Sequence, residues 1–392
     1  MRALHVIPVI APRYGGPSEA IVGMCRALLD TDVDVLIATS DGDGRGHLPV
    51  VVGEVQPYRD VPTIFFRRRW SDRIHVAPNL VRWVNSHVAS FDVVHIHAIY
   101  SFAGPATARA CRRLGTPYVV RTLGHLDPWS LRHGRLRKWA MLQLLLKPML
   151  QGAAAIQYTT HQEKRLAERA LALGHGVVIP LGVDERLLDA PDQAEQFRAH
   201  FLNSATWPYV LVLSRLHPVK GLESFIEVFL EVTAAQALRH WHLVIAGDGA
   251  PGYAAELKNH AAALEGSQRV AFTGWVGGQD RTAALQGAAL MALPSHQESF
   301  GLSAIEALAV GVPVLISTEV NLADEVNAAR AGWVAPLDKR GLAAALNDAL
   351  RDESERARRG RAGRELVQSR FTWPVVAERL LDLYRSITSP TN

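Results

Sequence analysis

Short apolar runs rich in β-branched residues alternate with helical segments along the whole chain. This alternation constrains the fold more than any other feature. Strands separated by helices are joined by crossovers, which lay them parallel in sheets covered on both faces. In the first half, strands are expected at 3–7, 33–38, 93–97, 118–121 and 155–158, with helices near 18–29, 80–87, 105–114, 136–150 and 160–172. In the second half, strands are expected at 209–214, 242–246, 269–272, 289–293, 314–316 and 332–334. Helices there are expected near 222–237, 253–264, 280–286, 304–309, 324–328, 341–352 and 354–369. The stretch 179–192, IPLGVDERLLDAPD, carries turn residues and is the expected crossover. The expected fold class is α/β, with two Rossmann-like doubly wound domains at 1–180 and 181–372. A final amphipathic helix within 373–392 is expected to pack back on the first domain. Two such domains facing each other would gather their strand ends, and their ligands, around one cleft.

A length of 392 residues suits two cores, and 48% hydrophobic with 20% charged residues describes a soluble globular protein. No apolar run reaches the length of a membrane span. The opening residues, MRALHVIPVIAP, read as a buried strand without the cationic start or cleavage site of a signal peptide. Cys25 and Cys111 lie far apart and suggest neither a disulfide framework nor a zinc site, so a cytoplasmic location is expected.

Of the 42 Lys and Arg and the 38 Asp and Glu, residues 1–180 hold 22 and 13, leaving 20 and 25 for the remainder. The first half is therefore the one suited to an anionic surface. Two clusters carry much of that charge: Phe65-Phe66-Arg67-Arg68-Arg69-Trp70, and 132–138 running into the apolar stretch 139–150. Cations beside aromatic and leucine side chains suit a peripheral membrane contact, and equally a solvated basic face beside a core helix. No recognised nucleic-acid motif accompanies the charge, and a nucleic-acid partner is not expected.

Four sets of residues could carry chemistry. After the first strand, Gly15 and Gly16 allow close backbone approach and open a helix whose amides suit an anion; they also fit an ordinary tight turn. After the first strand of the second half, Arg215 and Lys220 leave a strand end together and enter a helix, which suits a diphosphate clamp or, alternatively, two surface cations. Gly247 ends the strand at 242–246, where a ligand or a plain turn would need it. In HQESFGLSAIEALAVGVPVLIS, Glu298 and Glu306 stand eight residues apart around a turn and a helix start. The amides of Phe300, Gly301 and Leu302 would point at a phosphate there, and the carboxylates would suit sugar or ribose hydroxyls. On spacing alone, two solvated glutamates on an amphipathic helix remain an alternative. His95 and His97 are expected to face opposite sides of their strand and so not to share a metal. His125, in a loop after a strand end, is either ligand-facing or a buried, hydrogen-bonded histidine. No HExxH, Walker A or GxSxG pattern occurs.

Taken together, HVIPVIAPRYGGPSEA, FDVVHIHAIYS, IPLGVDE, SRLHPVKGLE, AGDGA, FTGWV and HQESFGLSAIEALAVGVPVLIS resemble the retaining glycosyltransferases of family 4, which have the GT-B fold. The resemblance covers nearly the whole chain. It implies that Arg215 and Lys220 hold the diphosphate of a nucleotide-sugar, Glu298 the sugar hydroxyls and Glu306 the ribose. It also implies that Phe300, Gly301 and Leu302 support the phosphate or sugar through their amides, and that the Gly15-Gly16 loop closes on the donor. Many relatives carry a histidine at the position of Leu123; here a histidine stands at His125 instead, and the resemblance leaves open whether it serves as the catalytic replacement. The nucleotide-sugar is a substrate in this reading, and neither cofactor nor metal is expected. The acceptor would be a saccharide, lipid-linked, at the inner face of the cytoplasmic membrane. A nucleotide-sugar epimerase, a glycogen-synthase-like enzyme and a non-catalytic nucleotide-sugar-binding protein are the alternatives on the same fold.

Overall fold

The computed structural model describes residues 1–70, 75–124, 126, 142–171, 173–202 and 207–389. The chain forms two compact units: Met1–Gly182 with Trp373–Asn392, and Val183–Thr372.

The first unit is built on strands β1 (Arg2–Val9), β2 (Asp34–Ser40), β3 (Gly42–Asp43), β4 (Gly46–His47), β5 (Val55–Tyr58), β6 (Val61–Phe66), β7 (Val93–His97), β8 (Tyr118–Arg121), β9 (Ala155–Tyr158) and β10 (Gly176–Val178). Eight of these form one sheet in the order β10-β9-β8-β7-β1-β2-β6-β5. Its strands are parallel except for β5, which runs antiparallel to β6. Continuous apolar runs explain the parallel centre: β7 and β8 are buried at every position.

The β5–β6 hairpin and β10 are absent from the expected strands. Pro57 pairs with Pro62 in the hairpin, and β5 takes the sheet edge, where a missing N–H costs no ladder bond. The hairpin also corrects the first basic cluster. Phe65 and Phe66 are core residues, 0% and 4% exposed, and only Trp70 of the aromatics there stands in solvent. Arg68 is buried and donates to the carbonyls of Gly44, Arg45 and Gly46. Arg67 lies 2.8 Å from Asp41. The second cluster, 132–138, lies outside the described residues. Of the apolar stretch after it, Leu144 and Leu145 are exposed.

The C-terminal helix, Trp373–Thr388, lies in this unit and buries Val376, Ala377, Leu380 and Tyr384 in a core with Ile21, Cys25 and Val93. The indole of Trp373 occupies the space that a Cβ on Gly23 would need, 2.4 Å away.

The second unit has six parallel strands: β11 (Tyr209–Leu213), β12 (His242–Ala246), β13 (Val270–Gly274), β14 (Leu290–Leu293), β15 (Val314–Ser317) and β16 (Gly332–Ala335). Their order is β13-β12-β11-β14-β15-β16. Helices pack Phe225, Phe229, Leu257, Leu342 and Leu346 against one face. A further helix, Ala194–Leu202, precedes β11 and is not among the expected ones. No helix of the described residues is long and apolar enough to cross a membrane.

Candidate active site

In the second unit the strand order reverses between β11 and β14. Loops leaving adjacent strands at such a reversal diverge, and the crevice at their C-terminal ends is where open α/β sheets bind ligands. Arg215 and Lys220 follow β11, and Glu298 follows β14.

Backbone contacts bring these loops together. After β11 the chain makes a 3-10 turn, Pro218–Lys220, capped by His217, whose ring accepts from the Val219 amide at 3.2 Å. Gly221 then adopts φ 64°, and a Cβ there would lie 2.4 Å from the Pro294 carbonyl oxygen, so only glycine fits. The His296 amide donates to the Val219 carbonyl at 2.8 Å. Lys220 is thereby delivered to Glu298 and its ammonium donates to Oε2. Both side chains are largely covered, 12% and 21% exposed. Arg215 is exposed and has no ion pair among the described residues.

Gly247 permits a close approach to the Ser214 carbonyl oxygen, 1.8 Å from where its Cβ would be. The β11 and β12 loops are laced further by Leu216 N donating to Asp248 O at 2.9 Å, and Gly247 N ties the end of β12 to β13 by donating to Gly274 O at 2.7 Å. Gly247 thus holds two ligand-side loops in register.

Glu298 is fixed through its backbone: its amide donates to Glu319 O at 3.3 Å and its carbonyl accepts from Asn321 N at 2.9 Å. Gly301, at φ 94°, caps the helix Leu302–Ala309. Ala304 N and Ile305 N donate to the Gly301 carbonyl, so the amides before them are the orphan donors of a helix N-terminus. The Phe300 ring is 3% exposed and packs edge-on against Phe371 at 5.9 Å. Phe300 therefore anchors the loop, and only its backbone is available. Glu306, in the second turn of the helix, accepts from Arg281. Arg281 carried no signal in the sequence, since it stands alone on the helix Gly278–Gly287 with no motif around it.

In the first unit, Gly15 has φ 66° and precedes the helix beginning at Gly16. A Cβ at Gly15 would meet nothing within 4 Å, so its backbone angle rather than space calls for glycine. His125 lies outside the described residues. Just before it, Leu123 takes φ 54° and Gly124 φ 70°. Glu163, 5% exposed, holds this loop. Its Oε1 accepts from Thr122 Oγ1 at 2.7 Å and Gly124 N at 2.8 Å, and its Oε2 accepts from Thr159 N and Oγ1, both at 2.7 Å.

The expectation for His95 and His97 was wrong. Side chains alternate along a strand with a period of two, so i and i+2 share a face. The two rings stack with centroids 4.2 Å apart, and His5, in register on β1, joins them. One ring nitrogen from each of the three lies within 4.8 Å of the others, and all are buried. Four of the six ring nitrogens lie in a hydrogen-bonded chain, while His95 Nε2 and His97 Nδ1 have no hydrogen-bond partner among the described residues. His97 Nε2 faces His5 Nδ1 at 3.1 Å, His5 Nε2 faces the Tyr384 hydroxyl at 3.4 Å, and that hydroxyl faces His95 Nδ1 at 2.7 Å. Burial, with the Arg121 guanidinium beside it, lowers His5 to about 3; burial, then the neighbouring histidines and then Arg121 hold His95 and His97 well below the usual histidine value. Burial also brings Arg121 itself down to about 10. A divalent ion here would add charge beside a buried cation with no carboxylate in the triad to offset it, so the cluster suits a neutral polar layer better than a metal centre.

Residues 15–182 match the family described as Glycosyl transferase 4-like domain, and residues 193–366 match Glycosyl transferases group 1. A GDP-mannose-dependent monoacylated alpha-(1-6)-phosphatidylinositol monomannoside mannosyltransferase of Corynebacterium glutamicum is 32% identical over 68% of this chain and 70% of its own length. Mannosylfructose-phosphate synthase of Agrobacterium fabrum is 29% identical over 55% of this chain, and that match spans about half, 48%, of the relative. Among solved structures, Anabaena Alr3699/HepE in complex with UDP and glucose superposes with a TM-score of 0.78 at 20% identity, covering 98% of this chain and 100% of that one. The paired carboxylates at the strand reversal, two α/β units and these matches have one common explanation: the chain belongs to the group 1, 4-like nucleotide-sugar glycosyltransferases of the GT-B fold class.

Proposed function

We propose that this protein moves a hexosyl group from a nucleoside-diphosphate-sugar to a hydroxyl of a saccharide acceptor, with retention of anomeric configuration and without a metal. The acceptor is proposed to be carried on lipid, in polysaccharide or glycolipid synthesis at the cytoplasmic face of a membrane. The observation that carries the reading is the Lys220–Glu298 pair at the strand reversal, with Arg215 in the loop that carries Lys220.

In the transfer, the bond from the anomeric carbon to the diphosphate breaks and one to the acceptor oxygen forms. The acceptor's proton is released, and the nucleoside diphosphate leaves. Negative charge grows on the departing diphosphate, where Arg215, and Lys220 once drawn from Glu298, would meet it. Orphan amides at the start of the helix Leu302–Ala309 add fixed dipoles. Glu298 would accept from sugar hydroxyls once Lys220 turns to the phosphate, and Glu306 from the ribose. The named donor and acceptor of the Corynebacterium relative, GDP-mannose and a phosphatidylinositol mannoside, support a lipid-borne acceptor. The UDP bound by the Anabaena protein leaves the base open.

The test is a transfer and thermal-shift screen of UDP- and GDP-sugars, with and without EDTA, on wild type and Lys220→Ala. One donor that stabilises wild type regardless of EDTA, fails to stabilise the variant and is turned over with a lipid-linked saccharide supports the reading. Stabilisation that needs added metal, or no donor binding at all, overturns it.

A further inference from the structure

We propose that Arg281 is a specificity-determining residue for the ribose of the donor, forming with Glu306 a recognition pair for its vicinal hydroxyls. This rests on the function proposed above.

The geometry of the pair carries the argument. Arg281 Nε donates to Glu306 Oε2 at 3.1 Å, and Nη2 donates to the same oxygen. Arginine–carboxylate pairs frequently take both oxygens in a fork-to-fork arrangement, as Arg59 does with Glu19. Here both donors converge on one oxygen. Glu306 Oε1 and Arg281 Nη1 have no hydrogen-bond partner among the described residues. The pair therefore leaves the Oε1 acceptor and the N–H groups of Nη1 unused. A cis-diol is the complement of that set, because one hydroxyl can donate to Oε1 while its neighbour accepts from Nη1.

Position and charge agree. Arg281 stands in the first turn of the helix that follows β13, and Glu306 in the helix that follows β14, both at the ligand end of the sheet. The side chains are 37% and 20% exposed, so a ligand can reach them. At that exposure an ion pair contributes little to folding. The guanidinium also offsets the second of two carboxylates beside a diphosphate site, where an unpaired Glu306 would repel the donor.

The experiment compares wild type, Arg281→Leu and Arg281→Lys using UDP-glucose or GDP-mannose, whichever wild type turns over, together with the 2′-deoxyribose form of that donor. Wild type is expected to prefer the ribose form by about tenfold in kcat/KM, since a site that hydrogen-bonds a hydroxyl is penalised when it is missing. Arg281→Leu is expected to raise the donor KM by about tenfold, with a smaller effect on kcat, and to shrink the preference to about twofold. Arg281→Lys, which keeps the charge but not the fork, is expected to recover affinity more than discrimination. If Arg281→Leu keeps the wild-type KM and the wild-type preference, or wild type shows no preference, the inference falls while the transferase reading stands. If wild type turns over neither donor nor any other nucleotide-sugar, the transferase reading falls, and this inference with it.

Discussion

Lys220 and Glu298, 78 residues apart in sequence, are paired in the second unit, and the pair is mostly covered. The resemblance assigns the two side chains to different parts of one ligand, the diphosphate and the sugar. In the structure each neutralises the other. A self-paired site spares a lone carboxylate or ammonium from partial burial. On the proposed function it also gives the donor a task on arrival: its phosphate would draw Lys220 away and free Glu298 oxygens for hydroxyls.

Removing either partner should therefore have unequal effects. Lys220→Ala is expected to abolish the donor-induced rise in melting temperature and to lower kcat/KM by about a hundredfold to a thousandfold. Glu298→Gln keeps a hydrogen-bonding side chain and frees Lys220, so it should bind free UDP or GDP at least as tightly as wild type while losing sugar transfer. Calorimetric titration of the nucleotide beside a transfer assay checks both. Loss of nucleotide binding in Glu298→Gln would contradict the assignment.

The histidine layer predicts an acid limit on stability. His5, His95 and His97 are neutral in the fold because burial and Arg121 depress their pKa values, while in the unfolded chain they titrate near the ordinary value of 6.5. Below that value the unfolded state binds more protons than the native one, so stability rises with pH. The contribution is complete above about pH 6.5 and is lost progressively as pH falls towards the folded value, about 3 for His5. Three such groups give a slope of about 4 kcal/mol per pH unit well below 6.5. Groups facing the layer from neighbouring elements are Cys25, Arg121, Gln157 and Tyr384. His5→Asn should reduce the slope by about a third in unfolding measurements between pH 7.5 and 5. Tyr384→Phe should cost about 1–3 kcal/mol, because it leaves buried histidine nitrogens without a partner.

How much of this was readable from the sequence depended on how local the signal was. Val93–His97, Tyr118–Arg121 and Ala155–Tyr158 are strands of buried residues, and their bounds follow from the apolar runs alone. Val55–Tyr58 alternates between exposed and half-buried positions and contains a proline, so its run carries no such signal. Glu298 and Glu306 stand out because a turn and a helix start lie between them in sequence. Arg281 does not, because its meaning comes from a carboxylate 25 residues away in another helix. The histidines were legible and were misread: their spacing puts them on one face, and only the pairing of β1 with β7 adds His5.

The basic aromatic cluster makes a different prediction for membranes than its sequence suggests. Phe65 and Phe66 are core residues, so a membrane contact in this region would have to rely on Trp70 and exposed arginines. Phe65→Ala should destabilise the protein by about 3–5 kcal/mol through the cavity it leaves. Trp70→Ala should leave the melting temperature within about 2 °C, as exposed substitutions do. Flotation with anionic vesicles at low and high salt distinguishes the two. Salt-sensitive binding that weakens in Trp70→Ala would support a peripheral contact, and no binding by wild type would remove the membrane from the proposed function.

Leu123, which the resemblance places where many relatives carry a histidine, has its backbone in the left-handed region at φ 54°. For a branched side chain that conformation costs about 1–3 kcal/mol and survives only where the surroundings impose it. Glu163 imposes it by accepting from Thr122 Oγ1 and Gly124 N on one side and from Thr159 on the other. Leu123→Gly should relieve the strain and raise the unfolding free energy by up to about 1 kcal/mol, part of the gain being lost to the freer unfolded chain. Glu163→Ala should lower it by about 3 kcal/mol, since several buried donors lose their acceptor together. If the strained loop serves catalysis, Leu123→Gly would be the more stable and the less active protein, the trade expected of strain kept at a working site. Chemical denaturation and a transfer assay on the same preparations decide it. Unchanged turnover in a stabilised Leu123→Gly would show that the strain does no catalytic work.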